Sequence, residues 1–302
     1  MGGTQNKRAF FPLTLTFFFW GGVYVAGKMI AKDIPPQLLA CLRCTVAMAP
    51  LLLMARNYLG TKIAREDWKY FILVGFLGYF LSISLIQLGI TLTGASMAAL
   101  INSLTPVSVT VMAALILKER ITPIKVLCLI LALAGTAVIT SGAGGQGDLL
   151  GIAVVLISVL CWGAASVYMR RLTANYPAIL VTTYSMAISL IFHIPAGIFT
   201  ALHQPVIISP KTVAVVLYLG LIGSGLSQFT WTKCLSLLPA STCSLFYPLQ
   251  PTFSALLGAL ILGERFRPTF FIGLLLISAD VVLSTRGAGR QVEDQSKFFK
   301  KT

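Results

Sequence analysis

The sequence predicts an all-α integral membrane protein whose ten transmembrane helices form two inverted five-helix repeats. Three observations predict it. The 302-residue chain is 57% hydrophobic and only 11% charged, whereas about a quarter of the residues of an ordinary soluble globule are charged. Apolar stretches of about 17–25 residues, the length that crosses ~30 Å of hydrocarbon, recur near 10–30, 36–55, 70–90, 95–117, 124–141, 150–169, 178–200, 213–232, 241–262 and 269–285. Finally, Pro106 followed by Leu117-Lys118-Glu119-Arg120 returns as Pro251 followed by Leu262-Gly263-Glu264-Arg265, at a constant offset of 145.

The duplication holds its register without a gap. Gly75 pairs with Gly220, Gly78 with Gly223, Ser82 with Ser227, Ala95 with Ala240, Ser96 with Ser241 and Leu104 with Leu249, and Pro123 closes the match against Pro268. Leu/Ala/Gly-rich segments aligned by chance agree at roughly a tenth of positions, so shared composition is a poor explanation. With five spans in each half, an odd number, the second copy enters the bilayer with the opposite orientation.

The spans carry their own punctuation in chain order. The first follows Lys7-Arg8 and lacks a small-x-small cleavage site, so it reads as an uncleaved helix; it holds Trp20-Gly21-Gly22. The second follows Pro35-Pro36 and contains Arg43. In the third, Gly75, Tyr79, Ser82 and Ile86 stand at helical spacing; the fourth holds Asn102 and Pro106, and the fifth Gly135. A Gly-rich stretch, 142–149, divides residues 1–141 from 150–286 as a flexible linker. Trp162-Gly163 opens the comparison with the first half again, and the eighth span repeats the third with Gly220, Ser224, Gln228 and Trp231. The ninth contains Tyr247 and Pro251, the tenth Asp280, and residues 287–302 form a basic tail held near anionic lipid.

Charge fixes the expected orientation. The net charge of +14 invites a nucleic-acid reading, but the basic residues sit between spans and in the tails. With the N-terminus inside, Lys7, Arg8, Arg56, Lys62, Arg65, Lys69, Lys118, Arg120, Lys125, Arg170 and Arg171 join the tail cations on the cytoplasmic side. Only Lys28, Lys32, Lys211, Arg265 and Arg267 fall outside, so both termini are expected in the cytoplasm. The six cysteines lie in or beside apolar segments and read as small hydrophobes, Cys41 and Cys44 included.

Trp-Gly in spans one and six, Arg43 after Pro35-Pro36, and the doubled Pro…Leu-x-Glu-Arg element together resemble the EamA-type transporters of the drug/metabolite transporter superfamily. The resemblance covers residues 10–285. It implies a ten-helix carrier, most members being exporters of amino acids and other small metabolites through a central cavity lined by helices 1, 3, 4, 6, 8 and 9. The expected function is therefore secondary transport of a small metabolite by alternating access, with the substrate near the bilayer midplane. Proton-coupled multidrug efflux is the alternative. The expected setting is a bacterial inner membrane, and the expected state a monomer or weak homodimer.

Candidate site residues follow from what a bilayer tolerates. Polar faces on membrane helices must meet protein or water, which nominates Tyr79, Asn102, Gln228 and Tyr247 for the substrate, or for interhelical hydrogen bonds. Trp20, Trp162 and Trp231 lie away from the interfaces where Trp68 anchors, and suit planar or cationic ligands or simply pack. Asp280 is the one acid within a span and Arg43 the one buried cation of span two, so these are the coupling or gating candidates, with protons as the coupling ion. Solvation in a vestibule for Asp280, and snorkelling for Arg43, are their bland readings. Pro106 and Pro251 are hinge candidates, or static kinks. Among the positions where the copies disagree are Asn102 with Tyr247, Ile83 with Gln228, Ile86 with Trp231 and Gly135 with Asp280. Shared positions are expected to build the fold, and the mismatched ones to meet the substrate.

Other chemistries lack their residues. No Gly-Lys-Ser/Thr follows the Gly-rich linker, so no phosphate cradle is expected. His193 and His203 form no metal-ligand spacing, and no paired carboxylates or Ser/His dyad indicates an enzyme. No cofactor and no metal are expected.

Overall fold

The computed structural model describes residues 2–93, 101, 102, 104–140, 149–262, 271–273 and 275–283. The linker from Ser141 to Asp148, the Glu264-Arg265 pair and the tail 287–302 fall outside that set. The regular elements described are all helical: α1 (Gly2–Met29), α2 (Pro36–Ala55), α3 (Trp68–Leu73), α4 (Ile83–Thr93), α5 (Thr105–Leu117), α6 (Pro123–Thr140), α7 (Leu149–Leu172), α8 (Ala178–His203), α9 (Pro210–Tyr218), α10 (Ser227–Leu237), α11 (Ala240–Ser244), α12 (Leu249–Leu262) and α13 (Phe271–Leu283). Among the described residues, six uninterrupted helical runs are long and apolar enough to cross a membrane.

Pro36 and Pro210 start α2 and α9, where a missing N–H costs nothing. Ser209 caps α9, its Oγ accepting from the Thr212 N–H at 3.2 Å. Outward faces carry Leu53, Leu160, Ile191, Phe199, Leu260 and Leu275 in the open, as lipid requires.

Two segments depart from α geometry at equivalent places. Val74–Ser82 joins α3 to α4 as a π-helix, and Leu219–Leu226 joins α9 to α10 in the same way. The paired glycines explain how other helices come so close. A Cβ on Gly75 would stand 2.7 Å from the Ser185 carbonyl oxygen, and one on Gly220 would stand 2.4 Å from Val46 Cγ1 and 2.5 Å from Val46 Cβ. So α8 lies on the first π segment and α2 on the second.

The same crossing recurs in the other pairs. Gly21 of α1 faces Phe253 and the Ser254 backbone of α12, while Gly163 of α7 faces Ser108 of α5, whose Oγ donates to the Val159 carbonyl at 3.1 Å. Each half therefore packs on counterpart helices of the other. The Ser82 and Ser158 hydroxyls are 3.1 Å apart, each also bonded to the other's carbonyl, which ties the first π segment to α7.

The glycine contacts make a graded prediction. Gly220→Leu forces its side chain into α2 and is expected to cost about 3 kcal/mol, the upper range for overpacking. Gly27→Ala, which meets nothing within 4 Å, is expected to be neutral or to stabilise by a few tenths of a kcal/mol through helix propensity. Thermal unfolding in detergent separates the two, and equal effects would refute the close-packing account.

One contact at the helix ends also crosses the halves. Lys118 ends α5 in the left-handed conformation at φ 55°, which swings Glu119 toward α11. Its carboxylate accepts from the Ala240 N–H at 3.0 Å, the Ser241 N–H at 3.4 Å and the Ser241 hydroxyl. Lys125 completes the group, with Nζ 2.6 Å from Ser241 Oγ and 3.9 Å from Glu119.

Candidate functional site

Helices from both halves converge on one aromatic cluster. From α1, Trp20 lies 5.7 Å from Trp231, 6.1 Å from Tyr247 and 6.1 Å from Trp162, measured between ring centroids. Trp231 and Tyr247 meet edge to face at 5.5 Å, and Tyr79 meets Trp162 at 6.3 Å. Such edge-to-face rings at 4.5–7 Å are favourable by about 0.5–1.5 kcal/mol each. Five residues singled out from the sequence, Trp20, Tyr79, Trp162, Trp231 and Tyr247, thus come together.

The indole N–H groups are distributed unevenly. Trp162 Nε1 donates to the Tyr247 hydroxyl, and Trp20 Nε1 to the Gly223 carbonyl of the second π segment at 3.3 Å. Trp231 is fully buried and its Nε1 has no hydrogen-bond partner among the described residues; the same holds for the Oε1 of Gln228, also buried. Helical spacing puts Ser224, Gln228 and Trp231 on one face, so an unsatisfied donor and an unsatisfied acceptor share that stripe. The equivalent positions of the first half hold an apolar pair, Ile83 and Ile86.

Arg43 reaches the same region from α2. Its Nε donates to Ser224 Oγ at 2.7 Å, and its Nη2 lies 4.0 Å from where a Cβ on Gly223 would stand. The guanidinium is thus turned onto Ser224 of the other half. Trp20 and Arg43 therefore grip consecutive residues of the second π segment, one at the Gly223 carbonyl and the other at the Ser224 hydroxyl.

The remaining candidates are placed differently. Asn102 bonds locally, its backbone carbonyl accepting from the Thr105 hydroxyl at 2.6 Å and its side-chain oxygen lying 3.4 Å from it. Asp280 is fully buried, which removes the vestibule reading, and its backbone carbonyl accepts from Cys128 Sγ at 3.8 Å. Gly135 lies against Gly273, Leu276 and Ile277, so α13 packs along α6. Neither hinge proline interrupts a continuous helix. Pro106 stands in the first turn of α5 after the break at Leu104, and Pro251 in the first turn of α12 after the turn 245–248. Each span is broken before its proline because that ring fits a helix start and clashes inside one.

Two participants were missed in the sequence. Phe17 touches Trp20 at 5.4 Å, Trp231 at 5.9 Å and Tyr247 at 5.0 Å; its place three residues before Trp20 on one helical face is a signal that the Phe17-Phe18-Phe19 run obscures. His193 is the other, bonded at 3.0 Å to the Tyr79 carbonyl. Among the described residues no group of three or more His, Cys, Asp or Glu side chains could hold a metal.

Residues 9–141 and 149–286 match the EamA-like transporter family. The chain belongs to that family. This EamA-like chain is 25% identical over 284 residues to an uncharacterized transporter of Clostridium kluyveri, covering 90% of this chain and 91% of that one. It is 26% identical over 290 residues to an uncharacterized transporter of Archaeoglobus fulgidus, covering 93% and 98%. A protein of Streptantibioticus cattleyicolor named "Probable terminal-alkyne amino-acid exporter" is 28% identical over 294 residues, covering 95% and 97%. One crystal structure sharing 21% identity superposes with a TM-score of 0.80 over 94% of this chain and 99% of that one, which establishes a common fold. The resemblance carried by the paired Pro…Leu-x-Glu-Arg segments is borne out. The EamA-like chain is an integral membrane protein, and its family and relatives indicate a transporter.

Proposed function

We propose that the protein is a ten-helix secondary carrier that exports small metabolites, amino acids among them, by alternating access between two inverted repeats, 1–141 and 150–286. The observation that carries this reading is the aromatic cluster, to which both halves contribute and which holds the unpartnered Trp231 Nε1 and Gln228 Oε1. Buried polar atoms are nearly always satisfied, so a donor and an acceptor left bare on one helical face suit a ligand that supplies both partners. The carrier works in a bacterial inner membrane with both termini cytoplasmic, and the helix breaks before Pro106 and Pro251 are the places where the spans flex.

The amino-acid class draws support from the printed name of the Streptantibioticus relative. Buried Asp280 favours the second reading, proton-coupled drug efflux, because a carboxyl enclosed by protein suits a reversible protonation site. Comparing the extracellular metabolites of cells with and without expression tests the export reading. Selective accumulation of one or a few metabolites outside expressing cells is the expected result. Unchanged external metabolites alongside raised drug resistance would replace metabolite export with efflux.

A further inference from the structure

Two basic side chains cross between the halves to equivalent points. Arg43 of α2 holds the Ser224 hydroxyl in the second π segment, and His193 of α8 holds the Tyr79 carbonyl in the first, at 3.0 Å. Tyr79 and Ser224 are repeat mates at the offset of 145. Each π segment is therefore tied, at the same register, to the second helix of the opposite half.

The two ties differ in what a proton can do to them. Arginine stays charged at any physiological pH, but histidine changes charge near neutrality. A carbonyl oxygen only accepts, so the His193 ring donates from Nε2, and the neutral tautomer leaves a lone pair on Nδ1. That nitrogen is buried with no hydrogen-bond partner among the described residues, and the residue as a whole is fully buried. The Phe80 ring lies edge-on at 5.1 Å. The fold does not demand such a group here: α2 and α8 correspond at an offset of 142, which pairs Pro35 with Pro177 at their starts, and the counterpart of His193 is then Leu51.

The other titratable groups around the ring offer no counter-charge. From α2 come Cys41, Cys44 and Arg43, whose guanidinium is turned onto Ser224. From the first π segment comes Tyr79, whose hydroxyl reaches Met169 Sδ. On α10, Lys233 is exposed and Cys234 Sγ donates to the Ala9 carbonyl. Of the carboxylates whose bonds are defined, Asp67 is bonded to Tyr176 beside α3, Asp33 to Thr212 and Glu119 to Ser241.

We propose that His193 is a proton-binding site of the carrier, at which uptake of one proton by Nδ1 releases α8 from the first π segment and opens the aromatic cluster. The step is a simple protonation: the Nδ1 lone pair takes a proton from water on one side, the ring becomes an imidazolium, and the same proton returns to water on the other side. The Nε2–H bond to the Tyr79 carbonyl persists in the imidazolium, but the new Nδ1–H is enclosed by protein with no acceptor among the described residues, which is costly; the relief available to it is water, which enters as α8 and the Tyr79 segment separate. This inference rests on the carrier reading, so its tests include one that needs no substrate.

The first test is thermal unfolding of the full chain in detergent between pH 8 and pH 5. His193→Gln keeps an amide N–H for the Tyr79 carbonyl and takes up no proton. Below the ordinary histidine value of ~6.5 the open or unfolded chain binds one proton more than the closed one, so the wild type is expected to lose stability relative to His193→Gln by about tenfold in equilibrium constant per pH unit. Parallel curves would overturn the proposal. The chain has only two histidines, so His203→Gln, a change at an exposed site, leaves His193 as the sole ring for an NMR titration. Protonation accompanied by a change in indole fluorescence is the expected result; protonation with no fluorescence change would refute the link to the cluster. In proteoliposomes, flux of the exported metabolite is expected to lose its dependence on a pH gradient in His193→Gln. A response lost only in Asp280→Asn would assign the proton to Asp280 instead, whereas absence of flux in the wild type would count against the carrier reading and leave the unfolding curves to judge His193.

Discussion

Glu119→Ala is expected to lower stability by about 2–3 kcal/mol, read as a fall of several degrees in the melting temperature of the solubilised protein. The carboxylate accepts three bonds from the start of α11 and faces Lys125, whose side chain is only 5% exposed. Removing it leaves the Ala240 and Ser241 N–H groups without their acceptor and the buried ammonium without its counter-charge. A fully buried pair broken on one side costs about 3–5 kcal/mol; Glu119 itself is 14% exposed, and solvent screening brings the figure down. Glu119→Gln keeps one acceptor oxygen and is expected to lose about half as much. Pairing Glu119→Ala with Lys125→Met should recover part of the loss, because the stranded charge goes with it. A melting temperature for Glu119→Ala matching the wild type would show that the contact carries no energy.

The second large effect is expected at Trp231, where two substitutions separate packing from recognition. Trp231→Ala empties a fully buried site in contact with Phe17, Trp20 and Tyr247, a loss of about 3–5 kcal/mol that abolishes export through instability. Trp231→Phe retains a six-membered ring and removes the unpartnered Nε1–H together with the rest of the five-membered ring. Because no protein group loses a hydrogen-bond partner, the cost is that of the smaller side chain, about 1–2 kcal/mol, and the fold is expected to hold. Export should still fall about tenfold or more, the cost of one hydrogen bond of roughly 1.4 kcal/mol to the bound metabolite. Unimpaired export by a folded Trp231→Phe protein would reduce Trp231 to a packing residue.

How far the sequence could be read depended on the range of the interaction involved. The bounds of α2 and α7 follow closely from Pro36, the Arg170-Arg171 pair and the apolar runs between loops, since hydrocarbon thickness and local chain chemistry settle them. The tryptophans were legible for the same reason: each stands mid-span, away from the belt that Trp68 occupies. The π segments were not. They preserve the spacing of small residues in Gly75–Ser82, and the change of hydrogen-bond register answers to α2 and α8 pressing on the glycines. Pro106 and Pro251 had the right residues and the wrong setting, because an apolar run conceals a break that costs it no hydropathy. His193 was invisible in principle. Its meaning comes from a carbonyl 114 residues away in the chain, and no spacing rule connects the two.

The crossing of the halves bears on how the chain is made. Trp20 is bonded to a carbonyl 203 residues downstream, and Cys234 reaches back 225 residues to Ala9. At about 5–20 residues per second, a ribosome takes roughly 10–40 s to bring the partner of Trp20 into being. Through that interval α1 and α2 sit in the bilayer with the indole N–H, the guanidinium and the glycine faces still bare. Biogenesis thus includes a waiting period in which lipid, the insertion machinery or the helices themselves must hold polar groups that only the second half can satisfy.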